Sequence, residues 1–223
     1  MAGGVIDLET PVSGLQATDA ELQTWVLDAA RAVGTYFGHF PIPRVHIIIA
    51  AGGHGDDPEG VTTDDDITVR IRSDFGKADM KRDWVMTHEM FHLAFPDMDD
   101  QYIWIREGLA SYLEPLARSR VGQLSSEQVW SEWVEGMPQG QPEPGDMGLN
   151  HTHTWGRTYW GGSIFCLLAD LRIREQTQNH RSLDDAMRAI LTHGGNRLAH
   201  WPMDKVISIG DEATGTNVLR DLY

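Results

Sequence analysis

Near Ala78 the apolar period of this chain changes from 2 to 3.6, and that change sets the order in which strands and helices can occur. Upstream, Arg44 to Ala50 (RVHIIIA) is a β-branched run bounded by Pro43 and Gly52-Gly53, which predicts a strand. Ile67, Val69 and Ile71 alternate with Thr68, Arg70 and Arg72, predicting a half-exposed strand whose charges suit a sheet edge. Residues 51–66, rich in glycine and aspartate, read as a loop. Further upstream, Thr18-Asp-Ala-Glu21 makes a capping box for a helix with Leu22, Val26, Ala29 and Val33 on one face, closed by Gly34 or Gly38. Downstream of Ala78, Met86, Met90 and Leu93 share a helical face, and Pro96 marks its stop. A second helix is expected from Trp104 to Ser119, with Pro115 as a kink or boundary. Residues 136–155, with three prolines and four glycines, read as a long loop, and loops of that length in compact domains usually carry function. A helix over 158–176 follows, and Ser182-Leu-Asp-Asp185 caps another that ends at Gly194-Gly195. Strands at about 40–75 and helices over about 78–223 predict an α+β fold, a small sheet with a mainly helical remainder, as one domain over residues 1–223.

Composition narrows what such a domain can do. Asp and Glu number 33 against 18 Lys and Arg, a formal net charge of −15, so phosphate-backbone binding is excluded as a general role. Apolar runs such as Ile47 to Ala51 are far short of the ~20 residues of a membrane span. The first eight residues show neither a basic start nor an apolar stretch. The expectation is a soluble protein, secreted or periplasmic if a leader has been removed. The single cysteine, Cys166, excludes an internal disulfide and any multi-cysteine metal site, and its apolar neighbours mark it as a packing residue. Nothing in the sequence sets the oligomeric state.

Thr87-His-Glu-Met-Phe-His92 matches H-E-x-x-H. On a helix, residues four apart share a face, so His88 and His92 can present both imidazoles to one metal ion. Glu89 reaches the same place without being a ligand, where it can accept the proton of a water activated at the metal. The surrounding apolar periodicity puts the motif on a buried helix, which argues against two incidental surface histidines.

A hydrolytic zinc ion needs a third protein ligand and an open position. The positions three and six after His92 are Phe95 and Met98, which excludes the metzincin pattern of Gly and His there. Trp104-Ile-Arg-Glu-Gly-Leu-Ala-Ser-Tyr-Leu-Glu114 resembles the W-x-x-E-G-x-A-S-Y-x-E segment of gluzincin peptidases. In those enzymes the glutamate before the glycine is the third zinc ligand, which implies Glu107. Residues 93–106 leave room to turn through Pro96 and return on a second helix. Thr158-Tyr-Trp-Gly-Gly-Ser-Ile-Phe-Cys and the run from Ser182 to Ile190 resemble the helical region after the zinc site in glycyl aminopeptidase-like (M61) peptidases and their M1 aminopeptidase relatives. The resemblance implies that Tyr159 stabilises the oxyanion through its hydroxyl, with Gly162 at the motif's glycine and Gly161 where the family has lysine. It spans about residues 44–223 and implies a gluzincin, thermolysin-like catalytic domain with one Zn²⁺ ion, acting on a peptide or protein substrate.

Two departures bear on specificity. The spacer to Glu107 is shorter than in the aminopeptidase members. Their Gly-rich edge segment, whose glutamate holds the substrate amine, corresponds to Gly60-Val-Thr-Thr, with Thr62 at the glutamate position. Peptide-bond hydrolysis is therefore implied more strongly than aminopeptidase specificity, with the strand at 67–72 expected to pair with an extended substrate. A zinc-containing module without activity, and a hydrolase of a non-peptide amide or ester, fit the same residues. His151 and His153 read as incidental loop histidines, with a place at the cleft rim as the alternative, Asp97, Asp99 and Asp100 as a solvated turn, and Ser111 and Glu114 as partners for a ligand histidine. Asp97, Asp99, Asp100 and Glu107, with Asp64 to Asp66, would give an acidic cleft preferring basic peptides.

Overall fold

Four strands form the sheet of the computed structural model, which describes residues 3–11 and 13–223. They are β1 (Val5–Glu9), β2 (Arg44–Ala51), β3 (Glu59–Thr63) and β4 (Asp66–Ile71), in the order β1-β2-β4-β3. β2 is parallel to both β1 and β4, while β3 and β4 form an antiparallel hairpin. Its turn places Asp64 at φ 49°, a conformation that Asp tolerates better than most residues. Val45, Ile47 and Ile49 of β2 and Ile67, Val69 and Ile71 of β4 are all buried, so the period of 2 yields one apolar face. Register stacks Ile47 beside Ile67 and Ile49 beside Val69.

The sheet corrects two sequence expectations. β4 is an inner strand, not the edge; its exposed Arg70 lies on the solvent-facing side of the pleat. The edges are β1 and β3, and β3 lies within a stretch that reads as loop by composition. β3 also carries its largest apolar residue, Val61, outward at 56% exposure, so it shows no hydrophobic alternation toward a core. β1 is a further strand without a sequence signal strong enough to predict it.

The chain divides into two units, Met1–Ala94 with Glu114–Ser125, and Phe95–Leu113 with Ser126–Tyr223. In the first, α1 (Asp19–Phe37) starts at the Thr18 capping box and ends at Gly38, whose φ of 85° needs glycine. Tyr36 and Phe37 pack edge-on and tilted against Phe91 of α3 (Val85–His92), which follows the short α2 (Lys77–Arg82). α4 (Ile103–Arg120) gives its residues to Leu113 to the second unit and those from Glu114 to the first. Pro115 lies inside α4, costing one backbone hydrogen bond without ending the helix. In the second unit, Ile105 and Leu109 of α4 form a core with Cys166, Met187, Ile190, Val206 and Ile207. These come from α6 (Gly162–Gln176), α7 (Leu183–Thr192) and α8 (Met203–Thr214), with α5 (Ser126–Gly136) and α9 (Val218–Leu222) completing the unit. Cys166 is fully buried and burial pushes its thiol up, as fits a packing residue. Part of the expected long loop is ordered: Met137–Gly140 is a 3₁₀ turn. No helix of the described residues is long and apolar enough to cross a membrane.

Candidate active site

α3 carries the histidine motif, and its start is fixed by Asp83. That buried carboxylate accepts hydrogen bonds from the backbone N–H of Val85 at 3.0 Å and Met86 at 3.1 Å, and from Trp25 Nε1 at 2.9 Å. It satisfies first-turn donors that would otherwise be orphaned. Burial pushes the Asp83 carboxyl up to about 6, against these hydrogen bonds and the charge of Arg118. Met86, Met90 and Leu93 are fully buried along one face, as their spacing requires. His88 is also buried; its ring meets Trp84 edge-on at 5.2 Å and His92 at 4.8 Å with the imidazole planes 86° apart.

Glu89 lies against β3. A Cβ on Gly60 would come within 2.6 Å of Glu89 Cγ and Oε1 and 2.7 Å of Val85 Cγ1, so only glycine lets the edge strand run this close. Two residues on, Thr62 Oγ1 donates to Glu89 Oε2 at 2.6 Å and lies 3.0 Å from the Glu89 carbonyl oxygen. With one proton to give, the hydroxyl's stronger bond is to the carboxylate. Thr62, which stands where the amine-binding glutamate is expected, thus orients the candidate base.

Glu107 and Tyr159 sit on segments that touch through glycine. A Cβ on Gly108 would be 2.3 Å from the Gly162 carbonyl carbon, and one on Gly162 would be 2.1 Å from the Trp104 carbonyl oxygen. Ser163 Oγ lies 2.9 Å from the Tyr159 carbonyl and 3.2 Å from that of Gly108, bridging the two segments. Tyr159 itself lies in a π-helical turn, Arg157–Gly161, where the sequence predicts unbroken α-helix. The turn is clamped from outside: Arg157 donates to the Gly140 carbonyl and pairs with Asp146 at 2.6 Å, while Trp160 packs where a Gly136 side chain would be. Trp155 stacks on Tyr159, ring centroids 5.6 Å apart and planes 24° apart.

One ligand atom from each of His88, His92 and Glu107 lies within 4.8 Å of the other two, a candidate metal site and the single such cluster among the described residues. Two imidazoles and a carboxylate are the donor set that hydrolytic zinc takes, three protein ligands with a fourth position for water, so the residues fit that ion. The other candidates have different roles. Asp97 meets Arg106 and Arg197 at 2.9 Å each and His200 at 3.0 Å. Partial burial works against ionisation there, but His200, Arg197 and Arg106 hold its carboxyl below the usual range. In return the hydrogen bond to Asp97 pulls His200 upward. The expected acidic, solvated turn is therefore charge-compensated at Asp97. Glu114 forms a buried ion pair with Arg118 at 2.6 Å. His151 and His153 are exposed, and His153 Nε2 lies 3.0 Å from the Asn150 carbonyl oxygen. Sequence reasoning missed Asp83, although its place just ahead of a helix with free first-turn N–H groups is a capping signal.

The fold is similar to part of that of solved M1 zinc metallopeptidase and aminopeptidase N family structures. The chain is similar to an aminopeptidase N family protein from Idiomarina loihiensis, with a TM-score of 0.65 at 14% identity over 93% of this chain and 42% of that one. It is similar to an M1 zinc metallopeptidase from Deinococcus radiodurans at a TM-score of 0.60 and 14% identity, over 96% and 45%. A mutant of that metallopeptidase bound to a Tyr-Ser-Ala substrate gives 0.58 at 12% identity, over 96% and 46%. The chain thus spans less than half the length of each. No protein-family model and no curated protein matches it.

Proposed function

We propose that this chain is a zinc-dependent peptidase of the gluzincin type, akin to the M1 and M61 families, with His88, His92 and Glu107 holding one Zn²⁺ ion. The observation that carries the reading is the approach of those three ligand atoms, with Glu89 following His88 on the same helix. A peptide-bound structure among the similar folds supports the substrate class. Bound there, zinc supplies Lewis acidity toward water and the scissile carbonyl. Glu89 takes the proton of the attacking water and passes it to the leaving amine. Thr62 donates to the Oε2 atom of Glu89, which holds the carboxylate in place. The Tyr159 hydroxyl donates to the developing oxyanion, and the glycine contact and π turn hold that ring in position. The edge available to an extended substrate is β3, the strand against Glu89, in place of the strand the sequence suggests.

The reading is tested by zinc stoichiometry and peptide cleavage, for wild type and Glu89→Gln. One zinc per chain in both proteins, with cleavage only in the wild type, is expected. A protein that takes up no zinc overturns the site. One that binds zinc and cleaves esters or non-peptide amides but no peptide overturns the substrate class.

A further inference from the structure

Trp155 holds a large apolar ring in solvent at a point where the backbone cannot yield. Its residue is 58% exposed, yet the next residue, Gly156, is seated so tightly that a Cβ there would lie 2.3 Å from the Gln139 carbonyl oxygen. Arg157 is anchored to the Gly140 carbonyl and Asp146. The residues that follow the indole are therefore held close to their neighbours, and the indole itself stacks on Tyr159 at 5.6 Å. Single exposed hydrophobic residues are ordinary on protein surfaces. This one differs in being rigidly mounted and in direct contact with the ring assigned to the oxyanion. The nearest cation in sequence, Arg157, is committed to Asp146, so the platform gains no charge from it.

We infer that Trp155 is a specificity-determining residue whose exposed indole receives a flat, apolar side chain, aromatic for preference, from the substrate residue beside the scissile bond. The inference rests on the peptidase reading, because a carbonyl that accepts from the Tyr159 hydroxyl lies one ring away from the indole. An aromatic side chain stacks there edge-to-face or offset and gains more than the area it buries. A small side chain leaves the indole in water. A peptide lysine would gain only an exposed cation–π contact, which is weaker when solvated.

The test measures binding by calorimetry, using the zinc-loaded Glu89→Gln protein and peptides that differ only by Phe, Ala or Lys beside the scissile bond. The Phe peptide is expected to bind about tenfold more tightly than the Ala peptide, the scale of one aromatic contact. Adding Trp155→Ala should bring the two within about twofold by lowering only the Phe affinity, whereas Trp155→Phe should keep most of the preference. The same ratios should appear in kcat/KM when residue 155 is varied in the active protein. A Phe preference that survives Trp155→Ala overturns the proposal, as does a Lys peptide bound as well as the Phe peptide. If Trp155→Ala loses its fold, Trp155→Leu keeps an apolar side chain without a ring and must lose the preference equally. Failure of every peptide to bind would instead remove the peptidase reading, and this proposal with it.

Discussion

Gly108 of α4 and Gly162 at the start of α6 meet backbone to backbone, and neither position has room for a methyl group. A Cβ on Gly162 would lie 2.8 Å from Gly108 Cα as well as 2.1 Å from the Trp104 carbonyl oxygen. Glu107 precedes the first glycine by one residue and Tyr159 precedes the second by three. A proposed metal ligand and a proposed oxyanion donor are thus set relative to each other by main-chain contact, which has no rotamers to relax.

Replacing either glycine reverses an ordinary rule. In a helix interior Gly→Ala usually stabilises by about 0.5–1 kcal/mol, since alanine loses less backbone entropy. For Gly162→Ala and Gly108→Ala the expected outcome is a loss of about 1–3 kcal/mol, the cost of overpacking. Urea unfolding midpoints measure it; an alanine variant as stable as wild type would show that the helices part freely.

Thr62→Val keeps the shape of the side chain and removes the donor to Glu89. A hydrogen bond to a charged group is worth about 1.5–3 kcal/mol, so kcat should fall about ten- to a hundredfold. KM should hold, because the bond orients the base and does not touch the peptide. Thr62→Ser should restore most of the rate in steady-state assays.

Asp83 makes stability depend on pH with a definite sign. The folded protein keeps the Asp83 proton up to about 6, whereas the unfolded chain releases it near 3.8. Between those values the native state binds more protons, so this contribution is complete below 3.8 and is lost as pH rises through 6. The difference in unfolding free energy between wild type and Asp83→Asn should therefore shift by about 2 kcal/mol against wild type between pH 4 and pH 7. Denaturant titrations at a series of pH values give the curve; a flat difference would mean the carboxyl ionises freely in the fold.

Metal should couple to folding. Zinc that binds only the native state raises stability by mass action, about 4 kcal/mol at a thousand times its Kd. Thermal scans of the metal-free protein should show a midpoint that climbs with added zinc, and Glu107→Ala or His92→Ala should lose most of that climb. An unchanged midpoint in the wild type would count against the three residues as a metal site.

The parts of the molecule legible in sequence are those held by local spacing. His88 and His92 share a helix face because they are four apart, and Thr18 and Glu21 close a box because they are three apart. β3 escaped notice because its inward positions, Gly60 and Thr62, are small or polar, for a reason that lies in Glu89, far along the chain. β4 looked like an edge because Arg70 and Arg72 interrupt it, yet in a sheet with one polar face such charges mark that face and say nothing about neighbours. Asp97 gave no hint of Arg197, one hundred residues away. The π turn was invisible for a different reason: it depends on how closely Gly140 and Gly156 let other backbone approach, and residue type alone does not report that.

That turn has a consequence for how this chain is to be lined up with others. A π turn holds one residue more than the α-helical ladder would, and one residue is worth about 100° of rotation. Side chains before Gly162 therefore point about a quarter-circle away from where counting back along α6 would put them. Any relative lacking the surplus residue needs a gap of one beside Tyr159, and pairing by spacing alone would set its tyrosine against Thr158 or Trp160.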